Sequence, residues 1–204
     1  MCAELPLELD GIDLGDKRLN DRARLLIERL GANPAASVNS SCQGWSETKA
    51  AYGFFDNKKI DPQKILQPHR EATDHRMGDE EVVLIVQDTT ELDYSKHPTR
   101  DAGALDAEHR FGLYDHSHLA FTPEGLCLGV IDAEFFSRTP DSLGKSRERS
   151  MYPIETKESF RWLRGYRMAC EFAAACPDTH IVSVADCESD IYDIFLEPEK
   201  HDRP

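Results

Sequence analysis

The spacing of apolar residues changes once along this chain. Up to about residue 77 they recur at helical intervals, and from residue 82 they gather into short runs. Leu19, Ala23, Leu26, Ile27 and Leu30 share one face of a helix that Asp16 opens from the N-cap position. Residues 46–55 predict a second helix, with Tyr52 and Phe55 as core anchors. Asp61-Pro62 starts a third, with Pro at the first helical position, running through Ile65 and Leu66 to about Met77. Residues 1–15 read as a lead-in, and 31–42, rich in Asn, Ser, Ala and Pro, as a loop.

Val82-Val83-Leu84-Ile85-Val86 contains five apolar residues, four of them β-branched, and is too short for a typical helix. It predicts a buried central strand, with Asp88-Thr89-Thr90 where that strand leaves the core. Ile181-Val182-Ser183-Val184-Ala185 repeats the pattern and runs into Asp186, followed by Cys187-Glu188-Ser189-Asp190. Between the two lies a hairpin with strands at about 115–121 and 126–136. Its turn, Thr122-Pro123-Glu124-Gly125, has the Pro and Gly placement of type I. A helix over 159–175 buries Trp162, Leu163, Tyr166, Cys170 and Ala173 and stops at Pro177-Asp178. A short helix carrying Tyr192, Ile194, Phe195 and Leu196 closes the chain. Residues 93–114 and 137–158 read as polar, irregular segments, the first with Arg100 and Arg110, the second with Arg138, Lys145, Arg147 and Arg149. The whole reads as α/β: a helical unit over 1–77, then strand, hairpin, helix, strand and helix over 78–204.

Two buried strands that each end in Asp bring Asp88 and Asp186 to one sheet edge, where paired carboxylates suit a hard divalent cation. The alternative is that each caps a turn or a helix start. His116 and His118 share one strand face, either as a metal pair or with one packed and the other exposed. On the first helix Lys17, Arg18, Arg22, Arg24 and Arg29 outweigh two acidic residues, a local charge of +3. Such a surface tracks a phosphate backbone or is a solvated helix face.

Composition limits these readings. At 204 residues the chain holds one domain, or one and part of another. Its formal charge of −14 argues against non-specific nucleic-acid binding, so a nucleic-acid role must rest on local patches. The six cysteines include no Cys-x-x-Cys pair, and are expected as reduced thiols in or near the core. No apolar run approaches membrane-spanning length and the first residues lack a leader pattern. The expected location is the cytoplasm.

The motifs, taken in order, resemble the bacterial insertion-sequence DDE transposases, of the type that moves the kanamycin-resistance composite transposon by cutting and pasting DNA. Leu14-Gly15-Asp16-x-Arg18, followed by Ala23-Arg24-Leu25, resembles that family's DNA-end-binding helix, and Ala50-Ala51-Tyr52-x-Phe54 the helix after it. Asp88-Thr89-Thr90-x-Leu92-x-Tyr94 resembles the segment of the first catalytic Asp. His116-Ser117 with Leu119, Gly129 and Phe135 resembles the hairpin. Lys157-Glu158-Ser159 with Trp162 resembles the helix start, and Asp186-x-Glu188-x-Asp190-Ile191 the segment of the second catalytic Asp.

The resemblance implies an N-terminal helical DNA-binding unit followed by an incomplete ribonuclease H-like core, with Asp88 and Asp186 as catalytic metal ligands for Mg2+ or Mn2+. It implies Lys17, Arg18, Arg22 and Arg24 on double-stranded DNA at transposon ends, nucleoid association, and a homodimer or synaptic complex in the full-length protein. The family's third carboxylate is a Glu in a Tyr–Arg–Glu–Lys pattern. Glu197 and Glu199 lack that pattern, so the expectation is a truncated transposase that does not cleave DNA alone. The competing readings are a DNA-binding repressor, an inert remnant and a metal-dependent phosphohydrolase.

Overall fold

The computed structural model describes residues 5–97, 102–105, 109–138 and 152–200. Cys2, Arg100, Lys145, Arg147 and Arg149 lie outside them, as does the side chain of Glu199. The chain divides into two compact units, residues 1–74 and 75–204.

The first unit is helical. A 3-10 turn at Leu5–Leu9 precedes α1 (Lys17–Ala32), α2 (Val38–Ser41), α3 (Trp45–Phe55) and α4 (Pro62–Gly78), which continues into the second unit. Asp16 caps α1 as expected, its carboxylate accepting from the Arg18 N–H at 2.8 Å. Ala23 and Leu26 of α1 are buried, and Leu19 and Ile27 pack beside them. Three sequence expectations need correction. The supposed lead-in supplies Leu9, Ile12 and Leu14 to the core, and the supposed loop contains α2. Tyr52 and Phe55 are not core anchors: they are 49% and 54% exposed, and α3 buries Thr48, Ala51 and Phe54. A helix buries one stripe of i, i+3, i+4 positions, and here Phe54 takes the inward place that the sequence offered equally to its neighbour.

The second unit is built on β1 (Val82–Asp93), β2 (Gly103–Ala104), β3 (Phe111–Phe121), β4 (Cys127–Phe136) and β5 (His180–Val184), with α5 (Phe160–Ala175) and α6 (Tyr192–Lys200). β1 lies between β3, antiparallel, and β5, parallel, and β3 also pairs with β4 and β2 antiparallel. The fold is thus mixed α/β, with a helical N-terminus and a mixed sheet. The β3–β4 turn is the one expected: the Gly125 N–H returns to the Thr122 carbonyl at 2.9 Å, and Gly125 has φ +87°.

Strict alternation along β1 buries Val83, Ile85 and Gln87. Val83 and Ile85 join Ala120, Leu128, Ile131, Met77 and the α5 residue Ala169 in one core, where each large aliphatic side chain contributes about 1.5–3 kcal/mol. The α5 stripe is shifted from the expected one. Trp162, Leu163, Gly165 and Ala169 are buried, Tyr166 and Cys170 only partly, and Ala173 is exposed. Small residues at 165 and 169 let the helix lie close to the sheet, so backbone proximity replaces side-chain bulk there. Strand β3 starts earlier than expected, within the segment read as irregular. Of the described cysteines, Cys127 and Cys187 are exposed and so do not serve the core.

Candidate DNA-binding face and carboxylate pair

In the first unit, the basic residues of α1 divide by what they touch. Lys17 and Arg18 stand exposed in the first turn, because the Asp16 cap begins the helix there. Arg22 is half-buried, and like them it makes no ion pair among the described residues. Arg24 donates from Nη2 to the Leu9 carbonyl at 3.3 Å, holding the 3-10 turn against α1. Arg29 pairs with Glu47 of α3 at 3.1 Å and with Glu28 at 3.2 Å. The local excess of positive charge is therefore partly spent on internal structure.

Sequence reasoning missed a second surface, on α3. Because Thr48, Ala51 and Phe54 face inward, Trp45, Lys49 and Tyr52 lie along the outer side at i, i+4, i+7 spacing. Trp45 is 78% exposed, an unusual position for the largest apolar side chain. The signal was present in the buried triad, but Tyr52 and Phe55 looked like core residues and drew the inward face to the wrong phase. Residues 2–60 carry nine acidic and eight basic side chains, a net charge of −1, whereas the whole chain stands at −14.

In the second unit, Asp88 and Asp186 come from neighbouring strands. Val86 of β1 is paired with Val184 of β5 in parallel register, and each Asp lies two residues further on. Adjacent strands run about 4.8 Å apart, so this register brings both residues to the same end of the β1–β5 pair. Asp88 is exposed, on the face opposite Gln87, and β1 continues past it to Asp93. The expectation that the strand ends at Asp88 is corrected: only its burial ends there. Asp186 is exposed and caps a 3-10 turn at Cys187–Ser189, its Oδ1 accepting from the Glu188 N–H at 2.9 Å. That turn fixes the Asp186 carboxylate and leaves its second oxygen outside the capping bond.

Behind Asp88 lies a buried polar layer between the sheet and α5. His116 and His118 are both packed, at 0% and 1% exposure. Their rings meet edge to face at 4.9 Å, and His116 meets Trp162 in the same way at 4.7 Å. His116 Nδ1 and the Thr89 hydroxyl are 2.8 Å apart. Burial, with His118, Arg161 and Arg164 nearby, holds the His116 pKa down to about 3, so the ring is neutral. Among the described residues no group of three His, Cys, Asp or Glu side chains is arranged to hold a metal ion. Glu197, buried in α6, is engaged by Arg167 at 2.6 Å. No described helix is long and apolar enough to cross a membrane.

Residues 2–60 match the protein-family model described as transposase DNA-binding. The match covers the helices that bear Lys17, Arg18, Arg22, Trp45, Lys49 and Tyr52, and supports DNA binding in transposition. No curated protein matches the chain at a significant level.

Proposed function

We propose, from the transposase DNA-binding match over residues 2–60, that the chain is part of a DDE-type insertion-sequence transposase that binds transposon ends. The N-terminal unit supplies the DNA contacts. Lys17, Arg18 and Arg22 neutralise backbone phosphates, and Trp45, Lys49 and Tyr52 of α3 meet the duplex beside them. Arg24 contributes by holding the 3-10 turn in place. An exposed Trp–Lys–Tyr row in a unit that matches DNA-binding domains is the observation that carries this reading. Aromatic and cationic side chains are also the residue types that dominate the energetics of recognition surfaces.

The second unit supports a ribonuclease H-like reading through its strand order, β4-β3-β1-β5, with Asp88 on the central strand. Asp88 and Asp186 suit one hard divalent cation: two carboxylates each two residues past the Val86–Val184 pair, one of them anchored by its own capping bond. Bound there, Mg2+ or Mn2+ supplies Lewis-acid stabilisation of phosphoryl oxygens and an activated oxygen nucleophile. With Glu197 committed to Arg167, the two Asp residues account for only part of a three-carboxylate site. End binding of this kind is also how a repressor by occupancy acts.

The test is selection from a random-sequence duplex library with the 204-residue chain. A consensus should emerge, and Trp45→Ala or the Arg18→Ala, Arg22→Ala pair should weaken binding to it at least about tenfold. Failure to enrich any sequence at moderate salt overturns the reading.

A further inference from the structure

The outer side of α3 carries more aromatic surface than phosphate contact alone calls for. Trp45 is 78% exposed, Tyr52 49% and Phe55 54%. Phe55 is tethered, its ring edge to face with that of Phe54 at 5.9 Å. Trp45 and Tyr52 are not: among the described residues their side chains make no hydrogen bond, ring stack or cation–π contact. Lys49 stands between them on the same side of the helix, and Lys58 and Lys59 are exposed just past its end. Single exposed rings need no explanation, whereas a row of them with cations interleaved marks a surface that another molecule covers.

We propose that Trp45 and Tyr52 each stack on an unpaired base of the bound DNA, with Lys49 on the phosphate between them, so that the unit takes DNA in which a few bases beside the duplex contact stand open. The inference rests on the DNA-binding reading above. In a duplex the base faces are hidden in the stack, and only phosphates, sugars and base edges are offered to a protein. The α3 row offers ring faces, which pair with base faces. Every base has such a face, so the contact needs no particular sequence. Geometry sets one base per ring. Trp45 and Tyr52 are seven residues apart, nearly two turns, which puts them on one side of α3 about 10 Å apart along its axis. That is about three times the 3.4 Å spacing of stacked bases, too far for the two rings to sandwich one base. Charge agrees. Between residues 43 and 60 the cations Lys49, Lys58 and Lys59 are all exposed, while the acids are Asp56 and Glu47, and Glu47 is held by Arg29. A strand lying along α3 thus meets cations for its backbone and rings for its bases, the combination that single-strand-binding surfaces use. A purely apolar partner would instead leave Lys49 desolvated between the two rings without a counter-charge.

Tryptophan emission reads this contact in the wild type, because the chain's two tryptophans differ: Trp45 is exposed and Trp162 is 3% exposed. The full chain is titrated with a random-sequence duplex, either fully paired or with a short central run of mispaired thymines, while emission and affinity are followed. The mispaired duplex should bind at least about fivefold more tightly, because its bases no longer have to be unpaired first. It should also quench the exposed tryptophan, and Trp45→Ala should remove the quenched emission together with most of the preference. The Arg18→Ala, Arg22→Ala pair should weaken both duplexes alike. Equal affinity of the wild type for the two duplexes overturns the inference, as does a preference that Trp45→Ala retains. Emission left unchanged by a duplex that binds also overturns it, and gives the row to a protein partner. In each of those cases binding to the paired duplex leaves the DNA-binding reading standing. If wild type binds neither duplex, both fall.

Discussion

Val86 of β1 and Val184 of β5 are parallel partners, and Asp88 and Asp186 each follow two residues later in the chain. A slip of one residue in that pairing would turn one of the two carboxylates to the opposite face. The pair should bind Mn2+, with the ion raising the thermal midpoint of the second unit. Asp88→Asn and Asp186→Asn should each weaken Mn2+ binding by about tenfold or more, equivalent to about 1.4 kcal/mol. Electron paramagnetic resonance of free Mn2+ reads this directly. Equal binding by wild type and both variants would separate the carboxylates from any metal role.

Trp45 and Tyr52 should be nearly free to change as far as folding is concerned. Both project from α3 into solvent, so truncation to Ala is expected to cost less than about 0.5 kcal/mol. Phe54, 6% exposed and in the core of the same unit, should cost about 3–5 kcal/mol when cut to Ala. Urea denaturation of the three variants distinguishes a surface row from core anchors. A large loss with Tyr52→Ala would return that residue to the core, where its aromatic character first suggested it belonged.

Most of the longer elements of this fold were legible because each rests on a local rule. The Asp16 cap, Pro at the start of α4, the β-branched run of β1 and the Pro–Gly turn before β4 all act within a few residues. Helix phase was less legible. On α3 the positions of Tyr52, Phe54 and Phe55 all invite burial, and only tertiary packing chooses Phe54. On α5 the sequence favoured bulky residues for the buried stripe, whereas close approach selects Gly165 and Ala169. That Asp88 and Asp186 each follow a run of strand-forming residues was legible, but the end of β1 was not, since the strand runs on to Asp93. The stacking of Tyr114 on Phe136, with Arg138 over the first ring and Arg161 over the second, was not legible at all, because these residues come from three separate segments whose register had to be known.

Gly165 should tolerate no side chain. A Cβ built there would come within 2.2 Å of His118 Nε2 and 2.3 Å of Gln87 Oε1. Both are buried under α5, so neither can swing into solvent to make room. Gly165→Ala therefore forces the helix away from the sheet, against the small gain in helix propensity that Ala brings. The expected net loss is about 1–3 kcal/mol, the usual cost of overpacking, read from the urea midpoint. Gain of stability would mean that the polar layer beneath the helix is looser than these distances imply.

His116 should make the second unit sensitive to acid. Its folded pKa lies near 3, against 6.5 for an ordinary solvent-exposed histidine. Between those two values the unfolded chain takes up a proton that the folded chain refuses, so stability falls as pH falls through that window. The full contribution is present above about pH 6.5, and the limiting slope is about 1.4 kcal/mol per pH unit. His116→Gln, which cannot take a proton there, should flatten the slope between pH 6.5 and about 3. Carboxylates still titrate at the lower end, Asp93 among them, whose pKa its Ser95 and Arg110 partners lower to about 2. The difference between wild type and variant isolates the histidine. Urea midpoints measured at intervals across this range check it, and parallel curves for the two proteins would show that His116 is protonated in the folded state after all.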